Sequence, residues 1–259
     1  MKLDGKIALV TGGTRGIGLG IVDTFLGEGA SVVAMGRDAG TGAKVLADRG
    51  AGDRLYFVQG DVLAKGGVEA AIDATVDHYG RIDILVNNAG GSGHFIPLIE
   101  HTDETWYETI DRNLTAVYRS MRHVIPIMRE QGGGRIVNIS SMRSKKQAPN
   151  QGPYGAAKAG VNALTKSTAL EVGDDNITVN AICVGVVLTD AALSGSLEFA
   201  ASQGITQQEL FDRYAKQQMP SRMLQTPETM GELAVFFCSD AGRSISGVAY
   251  SADGGLADY

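Results

Sequence analysis

Tyr154 and Lys158 stand four residues apart in the run Gly-Pro-Tyr-Gly-Ala-Ala-Lys-Ala-Gly. On a helix that spacing puts both side chains on one face. An ammonium beside a phenol favours the phenolate, so Lys158 is expected to lower the Tyr154 pKa. A phenol that gives and takes a proton near neutral pH is a general acid–base. Far upstream lies Thr-Gly-Gly-Thr-Arg-Gly-Ile-Gly, from Thr11 to Gly18. Glycines at 12, 16 and 18 let backbone approach a pyrophosphate, and the helix opening there supplies N–H groups and a positive dipole end. The spacing G-x-x-x-G-x-G is not the common G-x-G-x-x-G, and the turn lacks the Gly-Lys-Ser/Thr of a P-loop. Tyr-x-x-x-Lys alone arises by chance in many helices. Joined to a dinucleotide-type glycine turn, it is a specific signal.

These residues need a scaffold. Short apolar runs read as strands at Ile7–Val10, Ser31–Met35, Leu55–Gln59, Ile84–Asn87, Arg135–Ile139, Ile177–Cys183 and Val248–Ala252. Helical patterns fall between them at about 16–28, 40–49, 66–79, 103–131, 151–173 and 226–239. Such alternation predicts an α/β fold, a seven-stranded parallel sheet, doubly wound, with helices on both faces. No linker divides the chain, so one domain is expected over 1–259. The stretch from about 190 to 225 breaks the rhythm with Met, Leu and Gln. It follows a strand's carboxyl end, where ligands bind in such sheets, and is expected to form a substrate lid.

Composition excludes other classes. The 259 residues, 44% hydrophobic, suffice for one sizeable core. A net charge of −6, from 23 basic and 29 acidic residues, disfavours nucleic acid and anionic membrane. Cys183 and Cys238 sit in apolar company and read as reduced buried thiols. There is no signal-peptide run and no 18-residue apolar span, so a cytoplasmic protein is expected. No metal is called for.

The chain resembles the short-chain dehydrogenase/reductase family along essentially its whole length. The resemblance rests on Thr11-Gly12-x-x-x-Gly16-x-Gly18, Asp61-Val62, Asn87-Asn88-Ala89-Gly90, Asn113, Ser141, Tyr154-x-x-x-Lys158 and Asp253-Gly254-Gly255. It implies a Rossmann-type fold, a nicotinamide cofactor and hydride transfer at a carbinol carbon. The implied cofactor contacts are Gly12, Thr14, Arg15, Gly16, Ile17, Gly18, Arg37, Asp61, Val62, Asn88, Ala89, Gly90, Tyr154, Lys158, Gly185, Val187 and Thr189. Asp61 is expected at the adenine edge. Gly36 takes the place of the family's NAD-selecting aspartate. Arg15 and Arg37 suit a 2′-phosphate, so NADP is expected, with NAD possible through Asp38.

The resemblance makes Tyr154 the acid–base and gives Lys158 the nicotinamide ribose. Ser141, 13 residues before Tyr154, would bind the substrate oxygen. Its neighbour Ser140 would point the other way. Asn113 would keep a water chain beside the lysine. One departure is Val184, where the family carries proline. Valine leaves that turn less fixed. The substrate pocket is expected to draw on His94, Arg143, Gln151 and Val186. Arg143, with Lys145 and Lys146, could receive an anion. The implied function is ketone–alcohol interconversion on a small molecule. Alternatives are a 3-oxoacyl-carrier-protein reductase, a hydroxy-acid dehydrogenase using Arg143 for the carboxylate, and a non-catalytic nucleotide-binding regulator. Acidic Asp174 and Asp175 speak against an acidic carrier. A homotetramer is implied, pairing helices 103–131 and 151–173 with their copies.

Overall fold

The computed structural model describes residues 1–257. Among them seven parallel strands form one sheet in the order β3-β2-β1-β4-β5-β6-β7. The strands are β1 (Ile7–Thr11), β2 (Ser31–Gly36), β3 (Leu55–Gln59), β4 (Ile84–Asn87), β5 (Gly134–Ser141), β6 (Ile177–Val184) and β7 (Ala249–Ala252). Every residue of β1, β4 and β6 is buried, as central strands covered on both faces must be.

The order reverses between β1 and β4, and a crevice opens there beyond the strands' carboxyl ends. The glycine turn follows β1 and Asn87-Asn88-Ala89-Gly90 follows β4, so both border the crevice.

One face of the sheet is covered by α1 (Gly16–Gly27), α2 (Ala39–Arg49) and α9 (Pro227–Cys238). Ile21, Phe25, Val45 and Phe237 pack there against Ala8, Val10, Val32 and Ile84. The other face is covered by α3 (Gly67–Tyr79), α5 (Ala116–Glu130) and α6 (Gly152–Glu171). Ile72, Val117, Val124 and Val161 pack there against Leu9, Val33, Leu85 and Ile136. Alternating strand residues serve opposite faces, so one strand feeds both cores. Helix ends follow their signals. Asp38 caps α2 and Thr226 caps α9, which has Pro227 in its first turn.

The expected helix over 103–131 is interrupted. It divides into α4 (Asp103–Ile110), a π-helical turn (Asp111–Thr115) and α5. The Asn113 amide donates to the Thr109 carbonyl, four residues back, at 2.9 Å. A side chain on that carbonyl competes with the α-helical ladder, and the π turn absorbs the mismatch. The insertion at 190–225 forms α7 (Asp190–Ser202) and α8 (Gln207–Gln218), each capped by a threonine, Thr189 and Thr206. α8 joins a third small core with Met142, Met219, Leu256 and Ala257.

Candidate active site

At the first crevice wall, Gly12 and Gly16 adopt left-handed φ of 65° and 53°. A Cβ at Gly18 would lie 2.1 Å from the Gly12 carbonyl oxygen and 2.5 Å from Asn88 Nδ2. Only glycine permits this contact. Asn88 fastens the turn, its amide donating to Thr11 O at 2.9 Å and Gly12 O at 3.2 Å. Thr11 Oγ1 in turn accepts from the Asn88 and Ala89 amides, each at 3.0 Å. Arg15 precedes α1 and leaves its first turn without a side-chain cap or an acidic residue. Bare N–H groups beside a backbone-walled turn fit a pyrophosphate.

Arg37, which follows Gly36 at the end of β2, and Arg15 of the glycine turn are both exposed. Asp38 is turned toward its own helix. Its Oδ1 accepts from Thr41 N at 2.6 Å and Thr41 Oγ1 at 2.7 Å, and these bonds hold its carboxyl below the usual range. Asp61 accepts from Leu63 N at 3.0 Å in a strand-end turn, and Val62 is buried in the core. Thr14 is buried, and Ile17 packs partly against the sheet.

On the far side Val184 stays in β6, paired with Ser141 on one side and Ala252 on the other. Val184 therefore lies within the strand rather than in the turn that follows it. A Cβ at Gly185 would meet Asp253 Cα at 2.7 Å, so only glycine fits the bend. Val187 forms an isolated bridge with Gln225 whose bond runs from Leu188 N to Gln225 O, at 2.9 Å. Thr189 lies beside Gly16, and its hydroxyl caps α7.

The candidate reacting centre is built from β5, α6 and the π turn. Tyr154 is half-buried and Lys158 is buried. Ser141 lies against the Tyr154 phenol, and its oxygen also accepts from Arg143 N at 3.1 Å. The Ser140 hydroxyl instead donates to Lys158 O at 3.2 Å. Lys158 Nζ donates to Ile139 O at 2.8 Å and stands 5.8 Å from the centroid of the Tyr154 ring. Asn113 is buried and clasps Gly91, donating to its carbonyl at 2.9 Å and accepting from its amide at 3.1 Å. Gly90 lies between Asn113 and Lys158. A Cβ there would be 2.8 Å from Asn113 Oδ1 and 3.4 Å from Lys158 Nζ.

The electrostatics correct one expectation. The Tyr154 pKa is raised, not lowered. Burial is the main cause, and it outweighs the opposing pull of Ser141 and of the Arg143 charge. Lys158 is not among the groups that shift Tyr154 here. Its ammonium is turned to a carbonyl, and burial brings its own pKa down to about 8.

The expected substrate residues divide. Arg143 sits near Tyr154, with Nη1 on Lys146 O at 3.3 Å. Lys145 and Lys146 do not line an anion site. Lys145 Nζ donates to Ala249 O and Ser251 Oγ, and Lys146 Nζ to Leu256 O, all at 2.8 Å. His94 is exposed and faces Glu108 at 3.4 Å, a partner set by the fold and invisible in sequence. Gln151 is buried at the start of α6 with its Oε1 unpartnered, and Val186 is half-buried.

Sequence reading missed a buried polar chain beneath the site. Asn87 donates to Asn138 at 2.8 Å and accepts from Ser120 at 2.7 Å, and Asn138 donates to Thr165 at 2.9 Å. The signal was an asparagine directly after an apolar run in each of β4 and β5, Ile84-Leu85-Val86 and Ile136-Val137. Satisfied in this way, it ties β4 and β5 to α5 and α6.

A family model described as short chain dehydrogenase matches residues 6–196. D-beta-hydroxybutyrate dehydrogenase of Cupriavidus necator is 35% identical over 254 residues, 98% of each chain. A 3-oxoacyl-[acyl-carrier-protein] reductase of Chlamydia pneumoniae is 35% identical over 259 residues, 99% of this chain and 98% of its own. Among solved structures, L-sorbose reductase from Gluconobacter frateurii, complexed with NADPH and L-sorbose, superposes with a TM-score of 0.93. It is 32% identical, covering 99% of this chain and 98% of that one.

Proposed function

The chain belongs to the short-chain dehydrogenase family, and on that premise we propose that Tyr154 moves the proton in its reaction. The reaction class is interconversion of a ketone and a secondary alcohol by an oxidoreductase. The observation that carries the assignment is the grouping of Tyr154, Ser141 and Lys158 beside the uncapped glycine turn.

The residues from Gly12 to Gly18, with Asn88 to Gly90, would hold a nicotinamide dinucleotide, which supplies or accepts the hydride when bound. Tyr154 gives its proton to the carbonyl oxygen in reduction and takes it back from the alcohol in oxidation. The Ser141 hydroxyl donates to the same oxygen as charge develops there. Lys158 would reach the nicotinamide ribose, and Asn113 holds the Gly90-Gly91 backbone beside that lysine. A phenol with a raised pKa is protonated at neutral pH, the form that serves ketone reduction.

NADP(H) is the preferred cofactor in this reading, because Arg15 and Arg37 flank a position without a carboxylate. The pocket draws on Arg143, Gln151 and Val186. A second reading, an oxo- or hydroxy-acid substrate, is favoured by Arg143 beside Tyr154, and the likeness to a hydroxybutyrate dehydrogenase supports it. An acidic carrier fits less well. Asp174 is exposed and would repel it, though Asp175 is neutralised by Arg129 at 2.6 Å. Retention of Ser141, Tyr154 and Lys158 speaks against a non-catalytic regulator.

The segment 190–225 is a lid on a single domain. α7 exposes Leu193, Leu197 and Phe199, apolar groups available to a substrate rather than spent on the sheet. The protein is a homotetramer in which a second copy covers the apolar groove of Leu114, Tyr118, Ala163 and Leu164 between the π turn, α5 and α6. Among the described residues no helix is long and apolar enough to cross a membrane. A screen of ketones, oxo acids and secondary alcohols with NAD(H) and NADP(H), followed by nicotinamide absorbance, tests the reading. Turnover of a ketone with NADPH supports it. No turnover with either cofactor across the panel would leave the regulator reading.

A further inference from the structure

We propose that Lys146 is a positioning residue for the Tyr154 proton-transfer site, acting through a relay that starts at the C-terminal turn and ends at Arg143. The inference rests on the reading of Tyr154 as acid–base.

The relay begins at Asp253, which is 1% exposed. Its Oδ1 accepts from Gly255 N and its Oδ2 from Ala257 N, each at 2.9 Å. The two bonds wind residues 253–257 into a tight turn. Gly254 and Gly255 take φ of 70° and 85°, and a Cβ on either would run into Met219 or Pro220 just after α8. The turn is thus wedged under the α7–α8 segment, with Leu256 and Ala257 in the small core shared with Met142, Ala215 and Met219.

From this anchor two bonds lead to the site. The Leu256 carbonyl accepts from Lys146 Nζ at 2.8 Å, and the Lys146 carbonyl accepts from Arg143 Nη1 at 3.3 Å. Arg143 backbone abuts the residue after Tyr154. A Cβ on Gly155 would lie 3.2 Å from Arg143 O, and Arg143 N donates to Ser141 Oγ. Lys146 is exposed, yet its ammonium reaches inward to the Leu256 carbonyl. A lysine that pins a loop in this way fixes the guanidinium two steps on.

The charged and titratable groups around the relay are few. Facing Tyr154 are Arg143 from the loop after β5 and Lys158 from α6 itself. Tyr214 of α8 interacts with both Arg143 and Asp253. The Arg143 charge therefore acts on both Tyr154 and Tyr214 of α8. It favours the ionised form of Tyr154. Freeing the guanidinium weakens that effect, so Tyr154 ionises at higher pH.

The deciding titration needs no substrate. Ultraviolet difference titration of the phenolate, with NADP+ bound and Tyr154→Phe as the subtraction blank, isolates the Tyr154 titration. Lys146→Met keeps the stem and removes the donor. Its Tyr154 titration is expected to move to higher pH, and Lys146→Arg to restore the original midpoint. With Arg143→Gln already present, Lys146→Met should add no further shift, since both act through one guanidinium. Turnover at neutral pH in the direction of alcohol oxidation falls about 2- to 30-fold in Lys146→Met. Unfolding of Lys146→Met is checked by melting, and Lys146→Gln serves if it fails to fold. An unmoved titration in a folded Lys146 variant overturns the relay. Full turnover by Tyr154→Phe would instead overturn the acid–base reading, so the two failures are distinct.

Discussion

Gly36 lies so close to Thr14 that a Cβ on the glycine would stand 2.7 Å from the threonine hydroxyl. No carboxylate can stand at the end of β2 unless Thr14 moves. Asp38, two residues on, is engaged by Thr41 in capping α2. Position 36 therefore carries no acidic ribose ligand, and the exposed charges around it are Arg15, Arg37 and the helix-capping Asp38.

Steady-state kinetics with both cofactors should show a preference for NADP(H). Arg37→Asp should shift that preference toward NAD(H) by roughly 10- to 100-fold, the worth of one charge-assisted hydrogen bond. A wild-type preference for NADH would contradict this.

Lys158 should leave a mark on stability against pH. Its pKa falls from 10.5 to about 8 because it is buried. Between those values the unfolded chain binds a proton that the folded chain does not, so this group's contribution to stability rises with pH. Below pH 8 the folded state bears the whole cost of burying the charge. Denaturant titrations of wild type and Lys158→Met should therefore diverge in favour of wild type between about pH 8 and 10.5, by up to about 3 kcal/mol. A constant difference across that window would refute the buried charge.

The sheet was legible in the sequence because its central strands are buried on both faces and read as unbroken apolar runs. Leu9-Val10 and Leu85-Val86 needed no partner to be recognised. The grouping of Ser141, Tyr154 and Lys158 was legible through spacing and family likeness. Two things were not. The π turn at Asn113 depends on a side chain reaching Thr109 and Gly91 together, and Gly91 lies 22 residues away in sequence. The direction of the Tyr154 pKa depends on burial and on where Lys158 Nζ points, and neither follows from a four-residue spacing.

Hydrogen exchange should find 190–225 more protected with NADP+ and a secondary alcohol bound than without ligand. Leu193, Leu197 and Phe199, 38%, 54% and 58% exposed, would then be covered. Equal protection in both states would remove the lid.

Light scattering at micromolar concentration should give a tetramer mass. Ala163→Glu, which places a charge in the groove of Leu114, Tyr118 and Leu164, should yield a smaller species. A wild-type monomer would show that the groove is not an interface between copies.

The central claim is that Tyr154 handles the proton. Turnover of Tyr154→Phe, measured with the best ketone or alcohol from the screen while NADP(H) binding is followed by fluorescence, tests it most directly. The variant should bind cofactor as wild type does and lose about 10²- to 10⁴-fold in turnover. Turnover within a few-fold of wild type would show that another group carries the proton.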